Sequence, residues 1–471
     1  MALVLRACAM PPALALTDED SMMTTDIPLS TPRAALNRLF WRVHFWAGLI
    51  TAPIVLFAAL TGLLYIFTPQ IEAWRHADVD RVKVRAETQP LDAQVAAAQA
   101  ALPGAPLRFV VPAHAAGETT QVYLRDPHAG HEHAGHTAGH DHGLPTGIIV
   151  YVDPYTARVV GQLTEMQRFQ TWAKKLHSSA LQGDGWRWLL ELAASWLLVM
   201  FATGITMWWP RSRANGGPGW RALVPRMGHG RQTWRDLHAV VALAMGLVLA
   251  VVLVTGLTWS RHAGENFRQV QKALGQEAPK PPPAAVASTR AQDAQPLSWQ
   301  AAWDRARASA PDVAMQLTPP KTTDGVWRVE NFDRAQPAKR FMLTLDAYTG
   351  RPLFTAGWDS LPLLAQATAA GIPFHRGEFG LWNQVLLALA ALAAIFSVVS
   401  GLVMWWQRRP RGRVAAPSLQ RHHVRQVPAW LWALALGLSL ALPVFGWSLL
   451  LFVCIEGARM LIPSRALAGA G

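Results

Sequence analysis

Charge is scarce in this chain. Only 15% of its 471 residues are charged, against roughly 25% in soluble domains. The shortage is concentrated: Phe45–Ile71, Leu192–Pro210, Ala239–Ser260, Leu381–Gln407 and Ala429–Ile455 carry no Asp, Glu, Lys or Arg. Uncharged apolar runs of about 19 residues or more mark membrane helices. The chain therefore reads as an integral membrane protein with five spans. Ion pumps and proton-coupled transporters place ionisable groups inside their spans, so ion-coupled transport is disfavoured. Cysteine is also scarce. Cys8 and Cys454 are expected on opposite sides of the bilayer, which excludes a disulfide between them. No Cys-x-x-Cys-His occurs, which excludes covalent c-type haem. No Gly-x-Gly-x-x-Gly follows a strand, and the short loops leave no room for a flavin or nicotinamide domain. Any electron donor must lie elsewhere.

The net charge of +13 would suit nucleic acid, but its distribution does not. Arg211, Arg213, Arg221, Arg226, Arg231 and Arg235 lie between the second and third spans. Arg408, Arg409, Arg411, Arg413, Arg421 and Arg425 lie between the fourth and fifth. Short arginine-rich loops stay cytoplasmic, so nucleic acid is not the expected partner. The N-terminus is then inside, the C-terminus outside, and both long connections are extracytoplasmic, in a bacterium periplasmic. Trp208, Trp209, Trp405 and Trp406 suit the cytoplasmic aromatic belt. The expected spans are 35–71, 177–210, 236–261, 375–407 and 428–456. Outer domains fill 72–176 and 262–374, arginine-rich loops 211–235 and 408–427, and an outer tail 457–471. Residues 1–34 read as a cytoplasmic tail. Their first 16 resemble a signal peptide only faintly, because Pro11 and Pro12 interrupt the apolar run.

What the chain does contain is a repeat. Trp41-Arg42-Val43-His44 leads to Thr61-Gly62-Leu63, as Trp234-Arg235-Asp236-Leu237-His238 leads to Thr255-Gly256-Leu257, with 17 residues from histidine to threonine in both. Leu176-His177 leads to Thr203-Gly204 and Trp208-Trp209, as Phe374-His375 leads to Ser400-Gly401 and Trp405-Trp406. A parallel repeat turns about an axis along the membrane normal. That axis sets His44 opposite His238 near the cytoplasmic face and His177 opposite His375 near the outer face. Haem iron accepts imidazole axially, and bundles build cofactor sites from facing helices. Two bis-histidine b-type haems are therefore expected, one near each face. Gly48, Gly62, Gly204, Gly246, Gly256 and Gly401 would permit close approach of helices or porphyrin edges. His262 also falls near the outer face and is an alternative outer ligand. His76, His114, His229, His422 and His423 lack repeat mates and read as surface residues.

Each outer connection alternates apolar residues into an Asp-x-x-Thr turn, at Gly147–Thr156 and Arg340–Gly350, which suits a hairpin. Helical stretches precede them at Leu91–Leu102 and Trp299–Ala310. Two small α+β units are expected. The first holds His128, His131, His133, His136, His140 and His142 within 15 residues, a loop suited to loose metal binding.

Together these motifs resemble the PepSY-associated transmembrane family, over about residues 36–410. That family includes iron-regulated inner-membrane proteins and ferric-siderophore reductases. The resemblance implies a membrane all-α bundle of five helices, the first four as a tandem 2+2 repeat, with two PepSY-like periplasmic domains. It implies a di-haem reductase of the bacterial inner membrane that turns siderophore-held Fe(III) into Fe(II), fed by a quinol or a partner reductase. His44, His238, His177 and His375 match the family's histidine motifs; no catalytic residue is assigned. The His-rich insertion and fifth span do not match the pattern and leave room for another metal, such as copper. Two other readings stand beside it: a non-enzymatic membrane protein binding a chelate or protein partner, and a haem conduit to another acceptor.

Overall fold

A computed structural model describes residues 32–461 apart from 128–143, 215–222, 229, 291–293, 311, 334, 411–415 and 417–418. In chain order the first helices are α1 (Pro32–Ile66), α2 (Thr68–Arg75), α3 (Ala77–Asp80) and α4 (Leu91–Ala101). Strands β1 (Leu107–Val111), β2 (Thr120–Leu124), β3 (Ile148–Asp153) and β4 (Arg158–Thr164) follow. Next come α5 (Phe169–Ser179), α6 (Trp188–Ala214), α7 (Arg231–Leu257), α8 (Ala263–Ala273) and α9 (Trp299–Ser309). Then follow β5 (Met315–Thr318), β6 (Val326–Asn331), β7 (Phe341–Asp346) and β8 (Pro352–Gly357). The chain closes with α10 (Leu363–Arg376), α11 (Leu381–Arg408), α12 (Arg421–Arg425), α13 (Ala429–Ala441) and α14 (Pro443–Leu461).

Among the described residues, five helices are long and apolar enough to cross a membrane: α1, α6, α7, α11 and α14. Four of them form a ring, with α1 packed on α6 and α11, and α7 packed on α11 and α6. Helices α1 and α7 thus lie across a diagonal. The expected spans 177–210 and 375–407 each begin with a separate helix instead. After α5 the chain turns through Ala180 and Leu181 at φ 51° and 61°, and after α10 through Gly377 and Gly380 at φ 75° and 88°. Left-handed residues stop a right-handed helix. His177 and His375 therefore end short helices that meet the ring near the sheet.

The fifth span, expected as one helix over 428–456, is a hairpin. Leu442 precedes Pro443 and leaves the helical region (φ −121°, ψ 82°), as the clash of a proline ring with the preceding residue demands. Asn266 Nδ2 on α8, close to the sheet, donates to the Leu440 carbonyl at 2.7 Å. At the other end of α14, Glu456 meets Arg42 of α1. So α14 runs back toward the His44 end, and 457–461 lie there rather than on the sheet side. Residues 462–471 fall outside the described residues.

The two expected α+β units are one body. A single antiparallel sheet runs β4-β3-β2-β1-β5-β6-β7-β8, joined where Val110 on β1 pairs with Leu317 on β5. Alone, each four-stranded half would present an edge of unpaired backbone groups; pairing the two edges removes it. The expected helices and hairpins appear, as α4, α9, β3–β4 and β7–β8. Helices α4 and α9 cover one face over a core of Val95, Val110, Val122, Leu317, Val329 and Leu343. They cap each other: Asp92 accepts from the Trp299 and Gln300 amides at 2.9 and 3.0 Å, and Gln300 Oε1 accepts from the Leu91 amide at 2.8 Å. Asp92→Ala is expected to cost about 1 kcal/mol, read as a lower melting temperature of the full chain.

The turn after β7 is tied by Asp346. Its Oδ1 accepts from the Tyr348 and Thr349 amides at 3.0 and 2.8 Å and from the Thr349 hydroxyl at 3.0 Å. Burial alone would raise this carboxyl, but those donors and the Thr289 amide hold it below its ordinary value. A depressed folded-state value stabilises the fold above the ordinary carboxylate range, and that stability is lost as pH falls through the folded value. Asp346→Asn is expected to flatten the acid limb of a stability–pH curve, and an unchanged limb would contradict this role.

Candidate functional site

His44 on α1 and His238 on α7 face each other across the diagonal. Their ring centroids are 6.4 Å apart with planes at 73°. Nearer the sheet, His177 ends α5 against Thr61 of α1, and His375 ends α10 against Thr255 of α7. All four rings are half-buried by area.

Each ring is steered by the neighbouring membrane helix. His44 Nδ1 lies 3.1 Å from Thr203 Oγ1 of α6, and His177 Nδ1 lies 3.0 Å from Thr61 Oγ1 of α1. His238 Nδ1 lies 2.9 Å from Ser400 Oγ of α11, and His375 Nδ1 lies 3.3 Å from Thr255 Oγ1 of α7. A glycine follows every one of these hydroxyl residues. A Cβ at Gly62 would stand 3.3 Å from His177 Cε1, and one at Gly256 only 3.0 Å from His375 Cε1. The glycines let imidazoles lie flat against a helix backbone. With Nδ1 engaged, Nε2 is the nitrogen left to act as a donor. Among the described residues, no group of three or more His, Cys, Asp or Glu is placed to hold a metal ion. The donors come in imidazole pairs.

A shallow cleft of about 80 Å³ lies between the sheet and α10. Trp259, Arg340, Phe341, Met342, Ile372 and Pro373 are among its lining residues. Pro373, in its lining, is two residues from His375 on α10.

His262 is held elsewhere. Its Nδ1 is 3.4 Å from Glu191 Oε2, and Glu191 also accepts from the His262 and Ala263 amides at 3.1 and 2.8 Å. His128, His131, His133, His136, His140, His142 and His229 lie outside the described residues. His76 and His423 were expected at the surface but are buried, 6% and 1% exposed. His76 faces Glu72, and His423 Nδ1 accepts from the Gln420 amide at 3.2 Å.

Sequence reading overlooked four features. The hydroxyls of Thr61, Thr203, Thr255 and Ser400 sat in the repeated motif, where only the glycines were weighed. Glu191, fully buried, sits just outside the uncharged run that defined its span. Arg42 and Glu456 form a buried ion pair, signalled only by a lone acid at the edge of the last apolar run. Arg376 Nε donates to Tyr65 Oη at 2.9 Å and its guanidinium pairs with Glu378 at 2.8 Å, one residue from His375.

Fold and site together define a multi-pass membrane protein whose helix ring presents two imidazole pairs beneath an antiparallel sheet domain. The sequence model of the PepSY-associated TM region matches residues 41–408. The chain belongs to that family. No curated protein matches it.

Proposed function

We propose that this protein is a di-haem oxidoreductase of the bacterial inner membrane that delivers electrons to a ferric siderophore in the periplasm. His44 and His238 would hold one b-type haem near the cytoplasmic face, and His177 and His375 a second near the periplasmic face. The arginine-rich loops support a cytoplasmic N-terminus, and the four ring helices are read as a 2+2 repeat. The observation that carries this is the 6.4 Å spacing of the His44 and His238 rings. A ligating imidazole nitrogen lies about 2 Å from its metal, so two rings facing one ion have centroids about 6 Å apart. Paired imidazoles without a third protein donor also suit a metal that brings its own equatorial ligands, as haem iron does.

Bound haem supplies reversible one-electron chemistry at its iron. The four histidines hold it, the glycines admit it, and α5 and α10 set the outer pair below the sheet. The cleft beside Pro373 offers the chelate its approach. There Fe(III) gains one electron and becomes Fe(II), which the siderophore holds far less tightly. Electrons would enter from a membrane quinol or a partner reductase. Ferric siderophore is expected to reoxidise the dithionite-reduced protein rapidly under anaerobic conditions. Reoxidation by Cu(II) alone would move the acceptor to copper, and reoxidation by neither would overturn the reductase reading.

Gly256→Ala brings a methyl to 3.0 Å from His375 Cε1, whereas Gly401→Ala would leave 3.9 Å to His238 Cε1. The first is expected to disturb the spectrum of the outer haem and the second to leave the spectrum unchanged.

A further inference from the structure

We infer that the hydroxyls of Thr61, Thr203, Thr255 and Ser400 are positioning residues that lock each paired histidine as the Nδ1–H tautomer, leaving the Nε2 lone pair free to ligate. The inference deepens the haem reading, and its metal consequence rests on that reading.

A hydroxyl has one proton to donate. Thr203 Oγ1 donates it to the Val199 carbonyl at 2.9 Å, Thr61 Oγ1 to Phe57 at 2.7 Å, and Thr255 Oγ1 to Val251 at 2.7 Å. Ser400 Oγ donates to the Ser397 carbonyl at 3.1 Å. Bonding back to the preceding turn is the habit of Ser and Thr in helices. With its proton committed, the oxygen facing each Nδ1 accepts, so Nδ1 carries the hydrogen. A carbonyl gives the same answer independently. His375 Nδ1 lies 2.8 Å from the Val252 oxygen, which only accepts. That carbonyl belongs to the residue three before Thr255. Neutral imidazole has one N–H, so Nε2 is bare in each ring.

An acceptor behind a ligating imidazole fixes ring orientation and strengthens the ligand as a donor, and its loss typically costs about 10- to 100-fold in metal affinity. A stronger donor favours the oxidised metal. Thr203→Val keeps the shape and removes the acceptor; Thr203→Ser keeps the acceptor.

The test uses the purified full chain. Histidine 15N shifts of haem-free protein are expected to show four residues with protonated Nδ1 and bare Nε2, and Thr203→Val is expected to mix the tautomers of His44. In haem-loaded protein, Thr203→Val is expected to raise the midpoint potential of one haem and weaken its retention, with Thr203→Ser close to wild type. Protonated Nε2 at His44, His177, His238 or His375 in the haem-free spectrum would overturn the inference, as would a wild-type potential in Thr203→Val beside a wild-type protein that holds two haems. Wild-type protein that takes up no haem would instead sink the haem reading, while the tautomer result stands on its own spectrum.

Discussion

His44→Ala is expected to purify with one haem per chain in place of two, and His238→Ala likewise. The rings face each other at 6.4 Å, so removing either leaves a single imidazole for that site. The second pair is held by Thr61 and Thr255, each 17 residues along its helix from His44 or His238. Loss should therefore stop at one. His177→Ala and His375→Ala are expected to remove the other haem. His262→Ala is the control: with its ring turned to Glu191, it should retain both. Retention of two haems in His44→Ala would refute the pairing, and loss of both would mean that the two sites fold as one.

Breaking the Arg42–Glu456 pair is expected to give the largest loss of stability. The Arg42 guanidinium donates through Nε at 2.9 Å and through an η nitrogen at 2.6 Å to the two carboxylate oxygens, and the side chains are 2% and 10% exposed. Removing one partner strands a buried charge, at a cost of about 3–5 kcal/mol. Glu456→Ala should lower the melting temperature sharply and release α14 from α1. The double variant Arg42→Met with Glu456→Leu should recover most of the loss, since replacing a buried pair by apolar side chains is often neutral. An additive double variant would show that the two charges do not act as a pair. This ion pair also brings the end of α14 to the His44 side. A cysteine-accessibility label at Arg459 should therefore report the same side as one on the arginine-rich loops.

Most of what periodicity and spacing encode was legible in the sequence. The uncharged runs marked the ring helices, because the bilayer leaves a run-length signature in composition. The repeated His and Thr-Gly spacings singled out His44 and His238, whose rings lie 6.4 Å apart, and the hydroxyl residues that face all four histidines. Long-range partners were not legible. Val110 and Leu317 pair across some two hundred residues, and nothing local in either strand names its neighbour, so two separate units were expected. The last apolar run looked like one span because hydropathy ignores helix direction; Pro443 was the only local sign of the turn. His76 and His423 have no repeat mates, and burial by tertiary packing leaves no mark on a lone histidine.

The most direct measurement is pyridine haemochrome stoichiometry on the purified full-length chain. The account predicts two b-type haems per polypeptide. A colourless protein, or one whose full complement is a single haem, would contradict it.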